Sequence, residues 1–236
     1  MQHNNKEAMH QEIDRLREFA AIISHNLKTP IAGIKMLATI MRESDDPETI
    51  KEISREIYDA VNDLQVFYRE MENVFRTAHL PEDPPEPVVI SEVLYEVLKQ
   101  LKPLIEAENV EITTDFSQGQ SILIRRLSLK SILLNLTSNA IKYAKPGVPP
   151  KIHLHTELSK KRLDLFVKDN GIGINLEKYG DKVFGLFEKF SDHPDATGMG
   201  LYIVKNQVEA MGGTIRLESE PGVGSTFIMD FPLADE

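Results

Sequence analysis

One histidine, a pair of asparagines, an aspartate and two glycine-rich turns hold most of the chemistry legible in this chain. His25 lies in FAAIISHNLKTPIAGIK. With Ala20 at heptad position a and Ile23 at d, it falls at f, the position that faces solvent. An imidazole there, with one ring nitrogen free, is a competent nucleophile near neutral pH. A surface histidine alone would mean little, but Pro30 follows inside an otherwise unbroken helical pattern. In a helix interior it removes a backbone hydrogen bond at a cost of ~3 kcal/mol, which suggests that the local bend is wanted. Asn26, Lys28 and Thr29 add a small polar patch beside the imidazole.

Asn135 and Asn139 stand at i and i+4 in LLNLTSNAIKYA, so a helix projects both amides from one side. Amide oxygens are hard ligands suited to Mg²⁺, which completes its shell with water and phosphate oxygens. Lys142, one turn on, can meet a phosphate as a point charge, and Tyr143 follows it. Leu133, Leu134, Leu136 and Ile141 make the rest of this helix a core element, so the polar pair is expected to face a cavity. Asp169-Asn170-Gly171-Ile172-Gly173-Ile174 follows a strand-like run. A carboxylate there can accept a hydrogen bond from an exocyclic amine while the glycines let backbone approach a flat ring. Thr197-Gly198-Met199-Gly200-Leu201 opens a further helix whose free N–H groups make an anion site. Taken singly, each glycine motif is a weak signal.

Between these turns, Phe184, Phe187 and Phe190 suggest a short helix with one aromatic face, either a small core satellite or a mobile lid. His153 and His155 share the solvent side of the strand KIHLHTEL. Two ligands rarely make a metal site, so they are read as surface residues.

The elements that must hold these groups divide the chain at residues 79–90, HLPEDPPEPVVI, whose four prolines exclude a helix. Residues 1–78 read as helix. Ile13, Leu16, Ala20, Ile23, Leu27, Ile34, Leu37 and Met41 form one seam, with Pro30 at a seam position. After a turn at residues 44–48, a second seam runs through Ile50, Ile53, Ile57, Ala60, Leu64, Phe67, Met71 and Val74. An antiparallel hairpin of this size has too little private core, so pairing with a second copy into a four-helix bundle is expected. Residues 91–236 alternate helical and strand-like patterns. SEVLYEVLKQLKPLIEAE is a helix with Ser91 as candidate N-cap, and the strands suggest an α/β sandwich with a mixed sheet and helices on one face.

Composition narrows the partners. The net charge of −10 argues against nucleic acid, and the lack of cysteine excludes disulfides and thiolate metal sites. No apolar run is long enough to span a bilayer and no signal-peptide pattern opens the chain. A soluble, cytosolic segment without membrane contact is expected, compatible with a membrane-anchored parent protein.

The order of the motifs is more specific than any one of them. SHNLKTP, NLTSNAIKYA, DNGIGI, LFEKF, TGMGLYIVK and GVGSTF resemble, in sequence, the histidine, asparagine, first glycine, phenylalanine, second glycine and third glycine boxes of sensor histidine kinases. The resemblance covers the chain from about residue 12 onward. It implies a dimerisation and histidine phosphotransfer hairpin, then a Bergerat-type (GHKL) ATP-binding domain. It implies a homodimer that takes ATP and Mg²⁺, an upstream sensor, and a response-regulator aspartate as the onward acceptor. By the match, His25 is the phosphoacceptor and Asn139 the Mg²⁺ ligand, with Asn135 nearby. Lys142 would face phosphate, Tyr143 and Asp169 the adenine end, and Gly198 and Gly200 the phosphates, with Gly171, Gly173, Thr197, Met199 and Leu201 as further nucleotide-binding candidates. Thr29 matches the residue that positions water for dephosphorylating a partner regulator.

Related hydrolases of the gyrase type carry a water-activating glutamate where this chain has Asn135, so hydrolysis alone is disfavoured. The family usually has a carboxylate after the phosphoacceptor. Here Asn26 can orient the ring but cannot take its proton, which predicts slow autophosphorylation. Ala196 stands where a glycine is common before the TGMG turn. The alternative is a nucleotide-sensing scaffold, or a protein biased towards phosphatase action on its partner.

Overall fold

The computed structural model describes residues 2–78, 84–159, 162–190 and 198–232, which fall into two compact units dividing between Asn73 and Val74. The first comprises α1 (Gln2–Glu43) and most of α2 (Pro47–Ala78). Asp46 starts the second helix. Its carboxylate accepts from the backbone N–H (3.1 Å) and the hydroxyl of Thr49, and Pro47 takes the first helical position, where its missing N–H costs nothing.

The heptad seam is visible in the burial. Ile34, Leu37 and Met41 on α1, and Ile50, Ile57, Ala60, Leu64 and Phe67 on α2, are half-buried among mostly exposed neighbours, with Ile53 and Met71 fully buried. Ala20 is exposed, and the side chains of Ile13 and Leu16 lie outside the described residues. Pro30 sits inside α1 and the helix continues past it.

The second unit begins with a strand, β1 (Glu86–Val89), inside the stretch read as a connector. There follow α3 (Ile90–Ala107), β2 (Glu111–Asp115), β3 (Ser121–Ile124), α4 (Arg126–Lys142), β4 (Lys151–Ser159) and β5 (Arg162–Asp169). A short α5 (Leu176–Tyr179), α6 (Gly200–Ala210), β6 (Thr214–Glu220) and β7 (Gly224–Pro232) complete it. Five strands form a mixed sheet in the order β2-β4-β5-β7-β6, parallel at β2–β4 and antiparallel elsewhere. β3 is not part of it; it pairs antiparallel with β1 in a separate ribbon, Val88 opposite Ile122.

Period-two alternation sends Ile152 and Leu154, Leu163, Leu165 and Val167, and Phe227, Met229 and Phe231 into one core with the apolar faces of α3, α4 and α6. The expected Ser91 cap is not used. The helix starts a residue earlier, at Ile90, whose N–H donates to the Gln120 carbonyl, and Val89 in the cap position offers no side-chain acceptor.

Candidate functional site

Helix α4 lies on the sheet through Leu129, Ile132, Leu133, Leu136 and Ala140. That orientation turns Asn135 and Asn139 towards the start of α6. The Asn135 amide nitrogen donates back to the Ser131 carbonyl (2.9 Å), which aims its oxygen away from its own helix. A Cβ built on Gly200 would stand 3.1 Å from that oxygen and 3.6 Å from the Asn139 amide nitrogen. Glycine at the first position of α6 therefore leaves the two amides room beside the helix N-terminus. No side chain caps α6 at Met199, which is itself fully buried, so the first-turn N–H groups face the amide pair with their positive dipole end.

Gly198 holds the approach to that terminus. Its φ is +74°, and its carbonyl accepts from the Phe187 N–H at 2.9 Å. A Cβ there would stand 2.5 to 2.7 Å from the Phe187 and Glu188 backbone. The phenylalanine segment is not the short helix that its spacing suggests. Phe187 has φ +62°, a left-handed conformation that breaks a helix, and helical turns occur instead at α5 and residues 180–182. Phe190 packs tilted on Tyr179 with ring centroids 5.2 Å apart.

Asp169 ends β5 at the other end of the site. One carboxylate oxygen accepts from the backbone N–H groups of Gly171 (2.8 Å) and Ser225 (3.2 Å). Burial pushes this carboxyl above the usual range, against the pull of those two donors and of the Lys145 charge. The second oxygen has no bond to a described residue. Ile172 donates to the Tyr143 carbonyl (2.9 Å), tying the glycine turn to the end of α4, and the Lys142 ammonium stands 5.5 Å from the Tyr143 ring centroid. Asn170 is structural: its amide bonds the backbone of Lys151 and Pro149.

Asn135, Asn139, Gly198, Met199, Gly200 and Leu201 thus meet at one end of α6, and Tyr143, Asp169 and Gly171 at the end of α4. Thr197 lies outside the described residues. In the helical pair, His25 is on α1 but its side chain lies outside the described residues; Asn26 is half-buried and Thr29 exposed. The GVGSTF motif gives no local sign of a role for Ser225, whose N–H reaches Asp169, and no motif marks Lys145 or Ser219. The Ser219 hydroxyl accepts from the Ile174 N–H (2.8 Å), a tie between segments 45 residues apart that no local pattern signals.

His153 and His155 are less solvent-facing than expected. Their rings stack on each other (5.0 Å) and His155 stacks on Phe166 (4.4 Å), while His153 Nδ1 bonds the Thr113 hydroxyl. Among the described residues no group of three or more His, Asp or Glu side chains could hold a metal ion. The amide oxygens of Asn135 and Asn139, with phosphate oxygens, are a donor set that suits Mg²⁺.

Comparison with known proteins defines the class. Residues 15–76 match the family described as His Kinase A (phospho-acceptor) domain. Residues 124–235 match the family described as Histidine kinase-, DNA gyrase B-, and HSP90-like ATPase, which implies ATP binding. A phospho-acceptor helical pair followed by this ATPase domain is the catalytic core of a histidine kinase, and the chain belongs to that family.

Among curated relatives, Sensor-like histidine kinase SenX3 of Mycolicibacterium smegmatis is 30% identical over 92% of this chain and 57% of its own length. Methanogenesis regulatory histidine kinase FilI of Methanothrix harundinacea is 29% identical over 96% of the chain and 25% of its own. The chain thus spans about half or less of these relatives. Among solved structures, the catalytic domain of histidine kinase ThkA is 25% identical (TM-score 0.55) over 64% of this chain and 96% of that one. ThkA in complex with the response regulator protein TrrA has the same fold over 95% of this chain and 64% of that one, with TM-score 0.73 and 23% identity. Among the described residues no helix is long and apolar enough to cross a membrane.

Proposed function

We propose that this chain moves the γ-phosphoryl group of ATP onto His25 and from there to an aspartate of a response regulator. The observation that carries the reading is the pair of amides on α4 set against the uncapped N-terminus of α6. That arrangement suits a polyphosphate, and it has no carboxylate at Asn135 to activate water. In the transfer, a neutral imidazole nitrogen gives its lone pair to the γ-phosphorus. The bond to the β,γ-bridging oxygen breaks with its electrons staying on ADP, and the proton left on the ring passes to a base or to water. Positioning and charge neutralisation do most of the work in such a step.

Asp169 would accept from the adenine amine through its second oxygen, with Tyr143, Gly171 and Gly173 beside the ring. Lys142, Thr197, Gly198, Met199, Gly200 and Leu201 would meet the phosphates. Asn139, with Asn135 beside it, would hold Mg²⁺, which supplies neutralisation of phosphate charge. Residues 1–78 act as the homodimeric phosphotransfer hairpin, 79–90 as the linker and 91–236 as the ATP-binding domain. In this reading the core works in the cytoplasm beneath an upstream sensor, with Thr29 placing water when the regulator is dephosphorylated. Label from [γ-³²P]ATP should appear on the chain as acid-labile, base-stable phosphate and vanish in His25→Gln. Stable label in that variant would sink the assignment.

Asn26 favours a second reading, in which the core acts mainly as a nucleotide-sensing scaffold or phosphatase. The same label, absent from the wild type while ADP still binds, would select it.

A further inference from the structure

Three loops that meet at Asp169 are joined in a closed ring of hydrogen bonds. The Ile172 N–H donates to the Tyr143 carbonyl (2.9 Å), and the Gly222 N–H donates to the Ile172 carbonyl (2.7 Å). The Lys145 ammonium then closes the circuit by donating to the carbonyls of Gly222 (3.0 Å) and Val223 (3.4 Å). Lys145 lies two residues beyond Tyr143, so the circuit runs from the end of α4 to the glycine turn, across to the β6–β7 turn, and back. Every link but one is backbone to backbone. The exception is the lysine side chain.

The β6–β7 turn leads directly into the groups that touch Asp169, at the start of β7. Ser225 donates its N–H to the carboxylate (3.2 Å), and Gly224, at φ +142°, packs so closely that a Cβ there would collide with the Asp169 carbonyl oxygen. Whatever holds the turn against the end of α4 therefore fixes the carboxylate that would read the purine. Among the described residues, Lys145 is also the charged group whose field reaches Asp169, and it opposes the effect of burial there. A lysine lying over a turn for solubility would have no reason to address two consecutive carbonyls that sit one and two residues before Gly224.

We propose that Lys145 is a positioning residue for the nucleotide's purine end, clasping the β6–β7 turn to α4 so that Gly224 and Ser225 hold Asp169 in place. It acts through the turn, without touching the nucleotide. The proposal deepens the ATP-binding reading and rests on it.

The test uses the full chain and ADP with Mg²⁺, following affinity by calorimetry and ligand-free stability by thermal unfolding. Lys145→Met should weaken ADP by about tenfold, the loss expected if the turn without its clasp holds Asp169 in place only about a tenth of the time. Lys145→Arg, which keeps charge and donors, should restore most of the affinity. The pH dependence separates positioning from bulk stabilisation. Affinity should fail at low pH as Asp169 takes a proton, and without the lysine's charge that failure should begin at a higher pH in the Met variant but not in the Arg variant. Unchanged ADP affinity in Lys145→Met overturns the proposal. So does an Arg variant as weak as Met, or weakening matched by a large fall in ligand-free Tm with no shift in the pH profile. If the wild type binds no ADP, the ATP-binding reading falls too; wild-type binding with an unaffected Met variant refutes only the role of Lys145.

Discussion

Gly200→Ala should separate nucleotide binding from folding, because the site and the helix ask opposite things of this position. In the helix, alanine is the better residue: relieving glycine's backbone entropy favours the folded chain by about 0.5–1 kcal/mol. Gly200 begins α6 and is not among the residues at positive φ, so the backbone offers no objection. The added Cβ meets the Asn135 amide oxygen at 3.1 Å, which requires a shift of a few tenths of an ångström. The amide is hooked to the Ser131 carbonyl, and stretching that bond costs up to about 1 kcal/mol. The two effects roughly cancel, so Tm should move by no more than about 4 °C. Binding has no such offset. The methyl group stands between the α4 amides and the α6 N-terminus, where a phosphate oxygen would accept its hydrogen bonds. Losing one charge-assisted bond weakens ATP by roughly tenfold to a hundredfold. Calorimetric titration of ATP with Mg²⁺, beside thermal unfolding of the ligand-free chain, measures both. Wild-type affinity in Gly200→Ala would refute the phosphate assignment, and a Tm loss well beyond that range would refute the packing account.

Two further outcomes follow. If a missing proton acceptor limits the transfer, Asn26→Asp should incorporate label from [γ-³²P]ATP several times faster than the wild type, and no gain would remove that explanation. Burial against Phe166, then the neighbouring His153, holds the His155 imidazole below its ordinary 6.5, partly offset by Glu157 and Asp115. Below pH 6.5 the unfolded chain therefore takes up a proton that the folded chain resists, and the stability present above that pH is lost as pH falls through the native-state value. Thermal unfolding between about pH 7.5 and 5.5 should show a steeper loss in wild type than in His155→Gln, and equal slopes would place the titration elsewhere.

Much of the architecture was legible because it is written in short-range periods. The 3,4 spacing of Ile50, Ile53 and Ile57 identifies a helix seam whichever partner covers it. Alternation in KIHLHTEL likewise identifies a strand with Ile152 and Leu154 inward. Asn135 and Asn139 share a side by helical geometry alone, and the order of the motifs along the chain is enough to point to the family.

What the pattern could not carry is set by contacts between distant segments. Nothing local says that β2 runs parallel to β4, or that SILI leaves the main sheet to pair with residues in a proline-rich connector. The three phenylalanines kept a helical spacing while the backbone at Phe187 turned left-handed to meet Gly198. His153 and His155 alternated outward yet became half-buried, because Phe166 of the next strand stacks on His155, and His153 packs on His155 and bonds Thr113. Lys145 is the clearest case, since its partner Gly222 lies 77 residues away. A helix or strand period is a property of neighbouring residues, so sequence determines it directly. The surroundings of a carboxylate or an ammonium depend on which loops the packed core brings together, and for Asp169 and Lys145 only the tertiary structure decided that.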